Sequence, residues 1–346
     1  MDTLKRKLKK LKNNPKLFFR DWYVKRKNRQ RANEYLLTKS TDVVDSVPIC
    51  DEGVSCNIVK RATIKMPESA TMFYWKGKTN FGDVINPVIM DKLFNIPVTH
   101  AKVEHADIIG IGSVLHTALC PKTQLDITRS FNQNILHVFS TGFKGPIDTE
   151  RMCFSRPVEI HALRGRLTRE ICERILGYKI DCILADAGLL APFLLFDDIA
   201  NLKKTYKLGI IPHFSDNNES LIKYIAQQHT SSVIIDLLLP IDEVIKLISS
   251  CEFIISTSLH GCIVADSFNI PNKWCRGLSR EILKQKDFKF VDYYSSYDIF
   301  DISAMSLLDV KGQKTKLINN IIDDYHIPYS MVKKKQESLL CRCDRI

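Results

Sequence analysis

At 346 residues, with 45% hydrophobic and 26% charged positions, the chain has the composition of a folded protein of one or two domains, not of a disordered, fibrous or collagen-like one. Its apolar runs stay short of the ~18 residues a membrane-spanning helix needs, and the charged first dozen residues lead into no signal-peptide core. The formal charge of +11 is local, because residues 1–31 hold thirteen Lys or Arg against Asp2 and Asp21, leaving the rest of the chain formally neutral.

Leu4, Leu8 and Leu11 recur at helical spacing among those lysines, and Phe18, Phe19, Trp22 and Tyr23 follow Pro15. Residues 1–31 therefore read as a basic amphipathic segment suited to an anionic membrane surface, with each Lys or Arg near the lipid contributing about 1 kcal/mol. A solvated basic tail is the plainer alternative. Nucleic acid is not expected as a partner, since the body adds no basic stripe or RNA-binding motif. The eleven cysteines are odd in number and lie mostly in apolar runs such as DCILAD and HGCIVAD, as small buried side chains in a reducing compartment do. The expected location is cytoplasmic, peripheral on the inner membrane face.

Residues 32–67 lack a regular pattern and read as a linker. From residue 68 strands and helices alternate. TMFYW is a strand, the KGKTNFGD loop feeds a helix from Val84, ADIIGIGSVL and NILHVFSTGF are strands, and EIHALRGRLTREICERILG is a strand turning into a helix that Gly177 closes. DCILADAGLLAP reads as a strand ending in a loop. A second series begins at Lys207, with strands KLGIIPHF, SSVIIDLLLP and EFIISTS separated by two helices and followed by the helix LHGCIVADSFN; KWC and KFVDYY read as short extended pieces. This rhythm predicts α/β domains with parallel sheets, one Rossmann-like at 68–202 and one at 203–335, with a tail at 336–346. In such sheets ligands bind beyond the carboxyl ends of the strands, so two halves facing a cleft would line it with polar residues.

Those ends carry the candidate chemistry. In STSLHGCIVADSFNIP, Ser258 and Gly261 flank His260 at the start of a helix, where backbone N–H groups favour an anion and disfavour an imidazolium. In HALRGRLTRE, Arg164 and Arg166 sit at a strand-to-helix transition, where guanidinium groups hold phosphate or carboxylate bidentately. Asn80, Gly82 and Asp83 form a glycine loop entering a helix, with Asp83 suited to capping as well as to orienting an acceptor hydroxyl. Gly112 and Ser113 in GIGSVL, Gly142 in STGF and His213 in GIIPHFSD complete the set. HExxH, paired CxxC, P-loop and GxSxG patterns are missing, so metal-hydrolase, NTPase and serine-hydrolase readings have no support.

Taken in order, NFGDVINP, GIGSVL, STGF, ALRGRLTRE, DAGLLAP, LGIIPHFSD and ISTSLHGCIVADSFNIPNKW resemble the bacterial polysaccharide pyruvyl transferases from about Thr71 to Trp274. The resemblance implies two Rossmann-like domains in a glycosyltransferase-B-like arrangement. It also implies transfer of the pyruvyl group of phosphoenolpyruvate to a sugar of a surface polysaccharide or its precursor, lipid-linked or already polymerised, as a cyclic ketal, a scheme that requires no metal and no cofactor. Arg164 matches the family's arginine and His260 its catalytic histidine. DAGLL departs from the family, where a proline often follows the aspartate, which leaves Asp186 without an assigned role. A nucleotide-sugar glycosyltransferase of the same fold and a membrane-docked scaffold without catalysis are the competing readings.

Overall fold

The computed structural model describes residues 69–342 apart from 78–79, 126–132, 196–202, 215, 217–219, 277–286 and 312–315. The basic segment 1–31 and the expected linker 32–67 lie outside the described residues. Residues 64–346 form one compact unit.

In chain order the first elements are β1 (Ala70–Phe73), α1 (Phe81–Phe94), β2 (Val98–His100), β3 (Ile108–Ile109), β4 (Leu119–Pro121), β5 (Leu136–Thr141), β6 (Met152–Phe154), β7 (Val158–Leu163), α2 (Arg166–Leu176) and β8 (Ile183–Leu184). A 3-10 helix, Ala187–Leu194, follows where the sequence suggests a loop, with the Asp186 side chain accepting from the Gly188 N–H at its start. The second series comprises β9 (Tyr206–Ile211), α3 (Ser220–Gln228), β10 (Ser232–Ile234), α4 (Ile241–Ser249), β11 (Cys251–Ser256), α5 (Leu259–Ser267) and β12 (Asn272–Arg276). It ends with α6 (Asp287–Ser295), β13 (Met305–Ser306), α7 (Leu307–Val310), α8 (Lys316–Asp323) and α9 (Tyr329–Arg342).

Two parallel sheets result, ordered β2-β1-β3-β5-β7-β8 and β10-β9-β11-β12-β13, beside an antiparallel β4-β6 pair. The buried strands read as continuous apolar runs because helices cover parallel sheets on both faces. This is a Rossmann-like α/β architecture. In each sheet the strand order reverses once, between β1 and β3 in the first and between β9 and β11 in the second. At such a switch point neighbouring connections run to opposite faces and leave a crevice at the strands' carboxyl ends. The segments leaving those four strands hold Asn80–Asp83, Gly112–Ser113, His213 and Thr257–His260.

One apolar cluster joins both series, containing Ile85, Phe139, Ile211, Ile245, Cys262, Tyr293 and Leu339. The Phe81 N–H also donates to the Leu237 carbonyl at 2.9 Å, tying the start of α1 to the second series.

Two sequence expectations need correction. KFVDYY is not extended, for it lies in α6, where Phe290, Tyr293 and Tyr294 recur at helical spacing and are all buried. Residues 336–342 are not a tail either. They continue α9, and Leu339 is fully buried in the shared core. Among the described residues no helix is long and apolar enough to cross a membrane.

Candidate active site

The start of α1 sits directly on an imidazole. A Cβ on Gly82 would overlap the His260 ring, so only glycine allows this approach. Asn80 caps α1 through its extended backbone, and its side-chain amide donates to Asp83 Oδ2 at 2.9 Å. Burial pushes the Asp83 carboxyl up to about 6, against the opposing effects of the Asn80 hydrogen bond and the Lys289 charge. Pro87 lacks the N–H that would bond the Asp83 carbonyl one turn back, and Asn86 Nδ2 takes that carbonyl at 3.0 Å. The same Asn86 amide exchanges two hydrogen bonds with the Ile111 backbone, at 2.7 and 3.1 Å. It thereby fixes α1 against the GIGS loop.

In that loop Gly112 holds φ at +128°, a conformation that side chains rarely adopt. Its carbonyl accepts from the Gly142 N–H at 3.0 Å and from Thr141 Oγ1 at 2.9 Å. The next residue, Ser113, accepts from Arg164 Nη1 at 2.7 Å. Gly142 lies against the Arg164 guanidinium, since a Cβ there would stand 2.6 Å from Cζ.

Arg164 is 1% exposed and committed to the protein on three sides. Besides Ser113 it donates from Nη2 to the Phe143 carbonyl at 2.6 Å and from Nε to Asp292 Oδ2 at 2.9 Å. Asp292, fully buried on α6, also accepts from the Thr168 N–H at 2.8 Å and from Thr168 Oγ1 at 2.7 Å. Arg164 is thus a buried ion-pair partner that braces the GIGS and STGF turns together.

His260 is the second residue of α5. Its Nε2 is buried and has no hydrogen-bond partner. Burial, followed by the charges of Lys289, Arg164 and His213, lowers its pKa to about 3. The ring is therefore neutral at physiological pH, and Arg164 and His260 lie near enough to interact. Asp186 is fully buried close by, its Oδ1 on the Gly188 N–H and its Oδ2 unpartnered, and burial raises it to about 6. Gly188 touches His260, whose Cδ2 stands 3.6 Å from where its Cβ would be.

Beside the imidazole, a hollow is lined by His213, Thr257, Trp274, Arg276, Lys289 and Phe290, among others. Trp274 and Phe290 stack with centroids 4.3 Å apart. Thr257 Oγ1 accepts from the His213 N–H at 2.7 Å and donates to Asp216 at 2.8 Å, which fixes the loop bearing His213.

Of the candidates named from sequence, Asn80, Gly82, Asp83, Gly112, Ser113, Gly142, Arg164, His213 and His260 belong to this connected region. Ser258 is the buried N-cap of α5, and its side chain makes no capping bond. At Gly261 a Cβ would overlap Ser256 Oγ beneath the helix, so the position also serves close packing. Arg166 is 38% exposed and ion-paired to Asp298. Sequence reasoning missed Lys289, Asp292 and Arg276, the first two through reading α6 as a strand. The spacing of Phe290, Tyr293 and Tyr294 was the available signal.

The neutral, depressed state of His260 has a testable consequence. Its resonance in a histidine-labelled NMR titration is expected to stay in the neutral form from pH 8 down to about pH 4. The folded pKa lies below the unfolded value near 6.5, so this residue's contribution to stability is complete above pH 6.5 and declines as pH falls toward 3. A midpoint between pH 6 and 7 would contradict the burial described here.

The NFGD and GIGS loops, the His213 loop and His260 thus lie beyond the carboxyl ends of parallel strands in an α/β protein. The chain belongs to the polysaccharide pyruvyl transferase family, whose model matches residues 2–274. It is 28% identical over 206 residues to the succinoglycan biosynthesis protein ExoV of Rhizobium meliloti (strain 1021), covering 58% of this chain and 57% of that protein. It is also 30% identical over 144 residues to the uncharacterized protein L143 of Acanthamoeba polyphaga mimivirus, covering 41% of this chain and 49% of the other. The chain therefore spans about half the length of the curated relatives it matches.

Proposed function

We propose that the chain transfers the pyruvyl group of phosphoenolpyruvate to two hydroxyls of a sugar in a surface polysaccharide or its lipid-linked precursor, forming a ketal. The observation that carries this reading is the buried, neutral, unpartnered Nε2 of His260 beside Lys289 and Arg164. Family membership and the succinoglycan role in the relative's name support the substrate class.

The reaction adds a proton to C3 of the enol and bonds one sugar oxygen to C2. Phosphate departs with the C2–O electron pair, and the second hydroxyl closes the ketal. Of the two hydroxyl protons, one is balanced by the proton gained at C3 and the other leaves with phosphate. His260 accepts a hydroxyl proton as the C–O bond forms, and such transfers contribute about 10²- to 10⁴-fold. Lys289 faces the departing phosphate beside Arg276, which is ion-paired with Asp287, while the N-terminal amides of α5 offset the donor's carboxylate charge. Arg164 adds a fixed positive charge from behind the GIGS turn and also holds that turn in place. Asp83 orients an acceptor hydroxyl. Incubation with a sugar acceptor and phosphoenolpyruvate should release phosphate in proportion to acceptor consumed. Turnover with a nucleotide sugar in its place would select the glycosyltransferase reading.

The reading includes a membrane role for residues 1–31. A truncated form lacking them is expected to keep activity on a soluble acceptor and to lose binding to vesicles rich in anionic lipid. Salt-sensitive vesicle binding that survives the truncation would contradict it.

A further inference from the structure

Away from the strand ends that carry Arg164 and His260, three potential ligands meet on neighbouring strands. His137 is the second residue of β5, Glu159 is its register partner on β7, and His161 follows two residues later. Between Val138 and Phe139 the register advances by one residue on β5 and by two on β7, so His161 is the extra residue of a bulge. Bulges re-aim side chains, and this one accompanies a close approach of the two imidazoles. His137 Nδ1 is hydrogen-bonded to His161 Nε2 at 3.0 Å, with the rings stacked at 5.3 Å between centroids, and lies 3.6 Å from Glu159 Oε2; a bound ion would replace that hydrogen bond.

We propose that His137, Glu159 and His161 form a binding site for a late first-row divalent metal ion of the zinc type. One ligand atom from each lies within 4.8 Å of the others. With metal–ligand bonds of about 2.0–2.1 Å, tetrahedral ligand atoms stand roughly 3.3 Å apart, between the 3.0 and 3.6 Å separations found here. Two imidazoles and one carboxylate suit zinc, nickel or copper better than magnesium or calcium. His161 is 2% exposed, whereas Glu159 is half-buried and opens the cluster to solvent for entry. Asp107 adds negative charge near His137. The opposing Arg156 is engaged by the carbonyls of Val103, Ala106 and Asn134. A bound ion would clamp β5 to β7, the strands leading to Gly142 and Arg164, and the site does not depend on the proposed pyruvyl chemistry.

The full-length protein, stripped with a chelator and desalted, is titrated with Co²⁺ by absorption and with Zn²⁺ by calorimetry. One equivalent of tetrahedral Co²⁺, displaced by Zn²⁺, is expected. His137→Asn, Glu159→Gln and His161→Asn should each weaken binding by at least the ~10-fold that even an outer-shell change costs. If His161→Asn fails to fold by circular dichroism, the other two variants decide, since Glu159 is half-exposed. Wild-type affinity in those two variants would overturn the proposal. So would a single equivalent carrying a thiolate-to-cobalt charge-transfer band, because the ligands would then be cysteines.

Discussion

Replacing His260 with Ala is expected to lower kcat for pyruvyl transfer by about 10²- to 10⁴-fold while the protein stays folded. The two halves of this expectation come from the same atom. Nε2 donates to nothing and accepts from nothing in the protein, so its removal breaks no internal hydrogen bond. It also removes the group whose depressed pKa keeps it available as a base in a cationic setting. The ring packs directly against Gly82, so its loss opens a gap there and creates no clash. Phosphate release with phosphoenolpyruvate and acceptor, read beside a thermal melt, checks both halves. Activity within tenfold of the parent protein would remove His260 from the chemistry.

Asp292→Ala is expected to act in the opposite way, through the fold. It leaves the Arg164 guanidinium buried without its counter-charge and strips two hydrogen bonds from Thr168. Breaking a buried ion pair by removing one partner costs about 3–5 kcal/mol, a large share of the ~5–15 kcal/mol that holds a domain together. Arg164→Ala should cost a comparable amount for the mirror-image reason. Each kcal/mol shifts Tm by roughly 2–4 °C in a protein somewhat smaller than this, so a drop of about 6 °C or more is the signature. Asp292→Asn keeps the shape and should lose less. A melting temperature within 2 °C of the parent for Asp292→Ala would show that Arg164 finds compensation elsewhere. It follows that lost activity in an Arg164 variant reports on the brace as much as on the donor.

The contrast also shows what could be read in advance. Parallel α/β architecture follows from alternating apolar runs and amphipathic helices. The polar residues beyond the strand ends, His260 and the NFGD and GIGS loops among them, were legible because switch-point geometry gives those positions to ligands. Two kinds of information were not local. Arg164 looked like an anion ligand because its counter-ion comes from 128 residues away on α6. That helix was itself hidden, since FKFVDYY is dense in aromatic and β-branched residues that favour strands, and only the positions of Phe290, Tyr293 and Tyr294 mark its period. Gly261 shows the same limit, for a glycine at a helix start suits both ligand approach and tight packing, and the packing partner Ser256 beneath it is visible only in the structure.

The reaction class rests on where the donor's enol carbon ends. With phosphoenolpyruvate labelled with ¹³C at C2 and a sugar acceptor, the account predicts that the label appears as a quaternary ketal carbon bonded to two sugar oxygens, with one phosphate released per ketal. Label recovered only as phosphoenolpyruvate or free pyruvate, while a nucleotide sugar glycosylates the same acceptor, would contradict it.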